Sequence, residues 1–447
     1  MSKLNILYIH SHDTGRYIQP YGYQVPTPNL QKLAEEGILF RQCYCANPTC
    51  SPSRASLLTG QYAHSNGMLG LSHRGFSLNH YSQHIIHTLK EHGYFCALSG
   101  VQHIDGPTED VSQYASHIGY DAVLGRDEMK GMWDSSQAEH NAVDFLRDSP
   151  QEPFFLSVGF HQTHRGFPQP SEADDPRYCV PPPGIVDTPE TRKEWAGYQT
   201  TARELDRRMG MVFQSLEESG LTSRTLIICT TDHGIAYPRM KCNLTDNGIG
   251  VFLIMKGPEG FSGGCVIDEL VSQVDIFPTL CELLRIEPPE WLQGTSMMPL
   301  VRKTGASIRD DILAEVNYHG SYEPQRCIRT KRWKYIRHYN DKHRTPVLPN
   351  CDDSPSKSLW LAHEWDKQTI PEEQLYDLMF DPLETNNLID DPKHVNTLTD
   401  LRIRLKKWMV ETEDPLLEGP VAAPPGAKMN ALSQTSPTDP QVAARPE

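Results

Sequence analysis

Short apolar runs alternate with amphipathic helical patterns through the first half of the chain, and this alternation restricts the fold more than any other feature. Strand-like runs occupy residues 4–9, 94–98, 154–160, 226–229 and 251–255, and helical patterns occupy residues 28–36, 82–92, 190–218 and 272–284. Strands that alternate with helices are typical of a parallel sheet. We therefore expect an α/β fold with a large, mostly parallel central sheet and helices on both faces.

The sequence changes character after Gly294. Strand-like runs at 312–316, 327–337 and 374–378, followed by a helical pattern at 398–410, predict a smaller sheet with a packed helix. We expect a large α/β domain at 1–305 and a C-terminal small-sheet subdomain at 306–414. The tail at 415–447 is rich in Pro and Ala, a composition typical of disorder. We expect packing to hold it, on the body or on a partner subunit of a homo-oligomer.

Composition excludes several classes of protein. Lys and Arg number 42 against 57 Asp and Glu, a net charge of −15, which argues against a nucleic-acid partner. No apolar run approaches the roughly 18 residues of a membrane span. The 11 cysteines are scattered, and the strand-like run at 4–9 leaves no room for a signal peptide. We therefore expect reduced thiols, a cytoplasmic location and no membrane partner.

Polar residues follow several of the predicted strands. His12-Asp13, His103, His161 with His164, and Asp232-His233 each come just after a strand-like run. Ligands bind at the carboxyl ends of the strands in open α/β sheets. A single histidine is more often structural, but several at corresponding strand ends predict one shared site.

The segment 50–60 carries the most specific signal. Pro52 suits the first turn of a helix and Gly60 suits its end. Cys50 then lies at the helix start, where free amides and the helix dipole favour a negative neighbour. Arg54 is one turn further along the same face. Together these residues predict an oxyanion site.

The segment Cys50-Ser51-Pro52-Ser53-Arg54 resembles the signature of the formylglycine-dependent sulfatases, a family with an alkaline phosphatase-like fold. Further blocks match the family in order, and these are 231–234, 274–279, 292–294, 375–378 and 381–388. Gly159-Phe160-His161 and the stretch from Trp408 to Pro415 resemble the branch of sugar sulfatases and sugar sulfamidases.

The resemblance implies a mechanism. In this family the cysteine at the position of Cys50 is oxidised to formylglycine by a maturation enzyme. One oxygen of the hydrated aldehyde attacks sulfur, and the second hydroxyl then expels sulfate and restores the aldehyde. Arg54 would steady the hydrate and His103 would act on it as base, while His164 and Lys241 would bind sulfate and protonate the leaving group. The implied ligands of a divalent metal are Asp13, Asp232, His233 and the modified residue 50.

Three positions depart from the family pattern. The family has two adjacent aspartates where this chain has His12-Asp13, so either residue could occupy the first ligand place. Val101 replaces a sulfate-binding lysine, which removes one positive charge. His233 replaces a frequent asparagine. The expected ion is Ca²⁺, with Mn²⁺ as the alternative, because imidazole suits manganese or zinc better than calcium.

A basic run with alternating apolar residues follows His319 and includes Arg326. The alternation favours a strand with a solvated face. As a second hypothesis, His319 and Arg326 reach the site and bind a substrate carboxylate or sulfate.

We expect an enzyme, a sulfuric ester hydrolase that cleaves the sulfate ester or sulfamate of a small sulfated sugar. Its partners would be that substrate and the formylglycine-generating maturation enzyme. The alternative is a phosphonate monoester or phosphodiester hydrolase that uses the same site. A catalytically dead binder of sulfated glycans is the third hypothesis. The missing lysine at Val101 supports it, and the retained Cys50, Arg54 and His103 oppose it.

Overall fold

The computed structural model describes residues 4–106, 110–131 and 133–446, and a large twisted sheet organises most of them. Its strands are β1 (Asn5–Ser11), β2 (Ile38–Tyr44), β3 (Phe95–Gly100), β4 (Ala122–Leu124), β5 (Phe154–Gly159), β6 (Thr225–Thr231), β7 (Gly250–Val251), β8 (Leu253–Lys256) and β9 (Cys265–Ser272). They lie in the order β4-β3-β5-β1-β6-β8-β2-β7, with β9 beside β2. The run from β4 to β6 is parallel, whereas β8 pairs antiparallel with both β6 and β2.

Helices cover both faces of this sheet. They are α1 (Pro28–Glu36), α2 (Cys50–Thr59), α3 (Ala63–Asn66), α4 (Ile85–Glu91), α5 (Ala138–Arg147), α6 (Pro189–Glu218), α7 (Asp246–Ile249), α8 (Ile276–Leu284), α9 (Met298–Val301), α10 (Pro355–Ala362) and α11 (Val395–Glu411). Along β1, Ile6 and Tyr8 join the apolar cluster beneath α2 and α8, while Leu7 and Ile9 join the cluster beneath α5 and α6. A strand apolar on both faces needs both faces covered. The expected sheet architecture is confirmed.

Local signals in the sequence place two helices correctly. Thr27 precedes α1, Pro28 begins it and Gly37 follows it. Gly60 ends α2 in the left-handed conformation, with φ +68°, and donates its N–H to the Ser56 carbonyl. Glycine reaches this conformation without a steric penalty, so it stops the helix at low cost.

Two predicted strands are wrong in detail. The run at 251–255 is interrupted at Phe252, whose N–H donates to the Gly15 carbonyl instead of to a neighbouring strand. The run at 327–337 is two strands, because the chain reverses between Thr330 and Trp333. The Trp333 N–H donates to the Thr330 hydroxyl, which stabilises that turn.

The second sheet is small and antiparallel. It joins β10 (Asp311–Tyr318), β11 (Tyr322–Thr330), β12 (Trp333–His338) and β13 (Glu373–Asp377) in that order. The apolar face of α11 packs on it through Leu401, Leu405 and Trp408.

The C-terminal segment forms a short hairpin, β14 (Lys428–Met429) with β15 (Val442–Ala443), that rests on the body of the chain. The Asn430 N–H donates to the Gly320 carbonyl, and Arg74 donates to the Asn430 side chain. Among the described residues, no helix combines the length and apolar character that a membrane crossing requires.

Candidate active site

Four strands of the large sheet end beside the start of α2. The residues that follow β1, β3, β5 and β6 are His12-Asp13, Val101 to His103, Phe160 to His164 and Asp232-His233. Asp13 and His103 adopt φ values of +51° and +58°. A left-handed conformation is uncommon for residues other than glycine, and it concentrates where a side chain must be aimed at a site.

Cys50 is the first residue of α2, and its thiol lies at the centre of this edge. Its Sγ is 3.3 Å from His233 Nε2 and 4.0 Å from Asp13 Oδ1. His233 Nε2 is also 3.3 Å from Asp13 Oδ1 and 3.7 Å from Asp232 Oδ2. The Asp13 N–H donates to Asp232 Oδ1, which fixes the two carboxylates relative to each other.

Burial decides the state of the Cys50 thiol. The helix start and the two nearby cations would favour a thiolate. Removal from water, together with the charges of Asp13 and Asp232, outweighs Lys241 and Arg54 and raises the pKa of the Cys50 thiol well above its usual value. The thiol is therefore protonated near neutral pH and is a weak nucleophile.

Arg54 is a buried cation beneath the thiol. Its NH2 group donates to Asp232 Oδ2 at 3.0 Å and to the Ser11 carbonyl at 2.8 Å, and its NH1 group donates to His10 Nδ1 at 2.6 Å. Burial and the Arg54 charge hold the pKa of His10 well below its usual range, so this imidazole accepts the bond in its neutral form. Arg54 thus ties the ends of β1 and β6 to α2.

Lys241 is a second buried cation and bridges two carboxylates. Its Nζ donates to Asp13 Oδ2 at 2.9 Å and to Asp352 Oδ2 at 3.0 Å. Burial opposes its charge, but Asp13 and Asp352 outweigh burial and raise the pKa of Lys241 well above its usual value. Burial would raise the pKa of Asp352, and Lys241 and His164 hold it below its usual range instead.

A wall of aromatic rings faces these charges. The His12 ring centroid is 5.7 Å from that of His103 and 5.8 Å from those of His161 and His164. The Trp133 ring packs edge-on against His103 at 4.2 Å.

Most of these imidazoles are neutral at pH 7. Burial, followed by neighbouring positive groups, holds the pKa values of His12 and His103 well below their usual range. Burial and the neighbouring His164 lower the pKa of His161 to about 4. A neutral imidazole can act as a base or bind a metal.

The fixed charges named here sum to a negative value. Asp13, Asp232 and Asp352 carry three negative charges, and Arg54 and Lys241 carry two positive charges. An anionic substrate would be repelled by that balance, whereas one divalent cation would reverse it.

The residues present fit such a cation. The ligand atoms of His12, Asp13, Cys50 and Asp232 all lie within 4.8 Å of one another. A metal about 2.0–2.5 Å from each donor would fill that space. The two His12 ring nitrogens are buried and have no hydrogen-bond partner within 4–106, 110–131 or 133–446. Buried polar atoms without partners are rare and costly, so an occupant is expected.

The structure gathers most of the predicted site residues. Cys50, Arg54, Asp13, Asp232, His233, His103, His164 and Lys241 form one cluster. Burial chiefly lowers the pKa of His319 below its usual value. His319 also lies close enough to the cluster for the charges of Lys241, Asp352 and His233 to influence that pKa.

Arg326 does not reach the cluster, and the hypothesis of a substrate contact is corrected here. Its guanidinium is completely buried in the small sheet. Nε and NH2 donate to Asp414, and NH2 is 3.4 Å from Glu315. The two carboxylates balance its charge, and two backbone carbonyls accept hydrogen bonds from its NH1 group.

Sequence reasoning missed Asp352 and Trp133. Both come from irregular segments, where neither periodicity nor a strand end marks a residue. Val101, at the place of the missing lysine, is fully buried and donates its N–H to the Gly159 carbonyl.

Comparison with known proteins agrees with the motifs. The family model described as Sulfatase matches residues 4–286, and one described as N-sulphoglucosamine sulphohydrolase, C-terminal, matches residues 239–358. The chain is 29% identical to the N-sulphoglucosamine sulphohydrolase of Homo sapiens, over 92% of this chain and 89% of that protein. It is 26% identical to an ulvan-active sulfatase of Formosa agariphila, over 92% of this chain and 75% of that protein.

A solved structure shares the fold. The putative sulfatase yidJ from Bacteroides fragilis superposes with a TM-score of 0.74 and 20% identity, over 94% of this chain and 98% of that chain. The architecture is therefore that of the alkaline phosphatase-like sulfatases.

Proposed function

The chain belongs to the sulfatase family and is a sulfuric ester hydrolase, and we propose that it acts on a small sulfated sugar through a formylglycine made from Cys50. The single observation that carries this proposal is the position of Cys50. It begins α2 among two carboxylates, a buried arginine and neutral imidazoles, yet its own thiol is protonated. A residue so placed is useful to catalysis once its thiol is replaced by a better nucleophile.

The proposed nucleophile is the hydrated aldehyde at residue 50. His103 is its base, because the ligand atoms of His103, His12 and Cys50 lie within 4.8 Å of one another and burial keeps His103 neutral. Arg54 holds Asp232 from below and compensates its charge. The overall reaction adds water across the S–O or S–N bond and releases sulfate and an alcohol or amine.

Lys241 and His164 are proposed to bind the sulfate and to protonate the leaving group. Lys241 Nζ is 2.9 Å from Asp13 Oδ2, and His164 Nε2 is 3.9 Å from the same oxygen. Both nitrogens therefore lie on the same side of Asp13, beside its Oδ2 atom. A positioned general acid contributes typically about 10²–10⁴-fold in rate.

Asp13, Asp232 and His233, with residue 50, are proposed to hold a divalent metal. The metal would neutralise sulfate oxygens and make the hydroxyl of the nucleophile more acidic. The three carboxylates and two cations of the site carry a net charge of −1, and a bound divalent ion would bring the net charge to +1. That balance matches a sulfate ester or sulfamate, which carries one negative charge.

The proposed substrate class is an N- or O-sulfated sugar. The match of residues 239–358 to the C-terminal N-sulphoglucosamine sulphohydrolase model supports a sulfamate or sulfate on a hexosamine. We also propose a maturation enzyme as a partner.

A substrate panel tests the proposal. Protein co-expressed with a maturation enzyme is assayed on N-sulfated glucosamine, 6-O-sulfated glucosamine, an aryl sulfate and an aryl phosphonate, with Cys50→Ala as the matched control. We expect turnover of the sulfated compounds and none by the control. Dominant phosphonate turnover would identify a phosphonate hydrolase. No turnover with retained binding of the sulfated sugars would identify a binding protein.

A further inference from the structure

The donor atoms at the centre of the site include more nitrogen than a calcium site requires. His12 is completely buried, and its Nδ1 lies 3.5 Å from Asp232 Oδ2, beyond hydrogen-bond reach of good geometry. Neither ring nitrogen has another partner in the described part of the chain. Two buried ring nitrogens without hydrogen bonds would destabilise the fold if the imidazole served only for packing. The position of His12 therefore indicates a metal ligand.

A backbone hydrogen bond fixes the orientation and the tautomer of the His233 ring. Its Nδ1 is 2.9 Å from the Gly234 carbonyl oxygen, which can only accept, so Nδ1 carries the proton. Nε2 then carries a lone pair and lies 3.3 Å from both Cys50 Sγ and Asp13 Oδ1, where it can accept from the thiol or bind a metal. A hydrogen bond on the far nitrogen is the usual way in which proteins orient a metal-binding histidine.

The two carboxylates at the centre of the site have few oxygens available to bind a metal. Asp13 Oδ2 is engaged by Lys241, which leaves Oδ1 toward the centre. Asp232 Oδ1 is occupied by the backbone N–H groups of Asp13 and His233, whereas Oδ2 accepts one bond from Arg54 and keeps a second lone pair. Each carboxylate therefore offers at most one oxygen, Asp13 Oδ1 and Asp232 Oδ2, to a metal. Calcium takes about 6–8 oxygen ligands, often from bidentate carboxylates.

We propose that His12 and His233 make this a nitrogen-containing site that selects a first-row transition ion, Mn²⁺ or Zn²⁺, over Ca²⁺. The inference rests on the proposed function for the presence of a metal, and it assigns His12 as a ligand beside Asp13. Two imidazoles and two monodentate carboxylates suit borderline ions, whereas hard ions prefer oxygen alone.

The test is metal binding to the full-length Cys50→Ala chain, so that neither formylglycine formation nor a thiol affects the result. Titration calorimetry is run with Mn²⁺, Zn²⁺ and Ca²⁺ separately after chelator treatment. We expect Mn²⁺ and Zn²⁺ to bind with one-to-one stoichiometry and about tenfold or more tighter than Ca²⁺. His12→Asp in the same background should reverse the order of Mn²⁺ and Ca²⁺. His117→Asn, at an exposed histidine, controls for surface binding and should change neither affinity.

A spectroscopic arm does not depend on variant folding. Pulsed electron paramagnetic resonance of Mn²⁺ in protein with ¹⁵N-labelled histidine should show nitrogen coupling. Tighter Ca²⁺ binding, or bound Mn²⁺ without nitrogen coupling, would overturn the inference. Either result would leave the proposed hydrolysis standing if matured wild-type protein turned over sulfate esters with Ca²⁺. Loss of turnover with every ion would count against the proposed function instead.

Discussion

Replacing Lys241 by methionine should damage both stability and catalysis, and the two effects can be separated. Lys241 is buried and bridges Asp13 and Asp352 at 2.9 and 3.0 Å. Removing one partner of a buried ion pair costs about 3–5 kcal/mol, because the carboxylates remain without a countercharge.

The catalytic effect follows from the same charge. A sulfate bound about 4 Å from Nζ gains about 4 kcal/mol at an effective dielectric constant of 20. Loss of that interaction should lower kcat/KM by about 10³-fold. Lys241→Arg, which keeps the charge, should retain more activity than Lys241→Met.

Lys334 provides a matched control. It is also fully buried between two carboxylates, with Nζ 2.7 Å from Asp246 Oδ1 and 2.8 Å from Glu384 Oε1, in the small sheet. Lys334→Met should lose similar stability and keep kcat/KM. The assay is sulfate ester turnover at a temperature where circular dichroism shows each variant folded. Equal loss of kcat/KM in the two methionine variants would refute a role for Lys241 in the reaction.

Three further predictions concern Arg326, Glu315 and His103. Arg326→Ala should lower the free energy of unfolding by about 3–5 kcal/mol without changing KM, because it leaves the Asp414 side chain without its countercharge. A tenfold rise of KM in folded protein would contradict this. Burial would raise the pKa of Glu315, but His64 and Arg326 lower it to about 2. The stabilisation that this carboxylate provides is therefore complete above about pH 4.3 and lost as pH falls toward 2. Between these pH values, the free energy of unfolding should depend less steeply on pH in Glu315→Gln than in the wild type. Equal slopes would exclude the effect. His103→Gln should lower kcat by about 10²–10⁴-fold at every pH from 6 to 8, since burial keeps His103 neutral in this range, and an unchanged kcat would remove His103 as the base.

The elements with local signals could be predicted from the sequence. Thr27 and Pro28 identify the start of α1, and Gly60 identifies the end of α2. The strands that end before His12 and Asp232 were predicted because they are apolar on both faces, and the family resemblance that the motifs indicate is confirmed. These features depend on residues close together in the chain.

Features that depend on distant contacts could not be predicted. The ion pair of Lys241 with Asp352 joins residues from two loops, and no motif marks Asp352. The basic run predicts a solvated strand face, with a substrate contact of Arg326 as the second hypothesis, whereas Asp414, which follows α11, pairs with Arg326 inside the small sheet. The boundaries at 305 and 414 and the roles of the site residues remain predictions.

The measurement that tests the central claim most directly is mass spectrometry of the peptide that contains residue 50, combined with turnover on the same sample. The protein is produced with and without a maturation enzyme, and aldehyde is captured with an aminooxy reagent. We predict that sulfate ester turnover rises in proportion to the fraction of residue 50 found as aldehyde and is absent in Cys50→Ala. Full turnover by protein in which Cys50 remains a thiol would contradict the account.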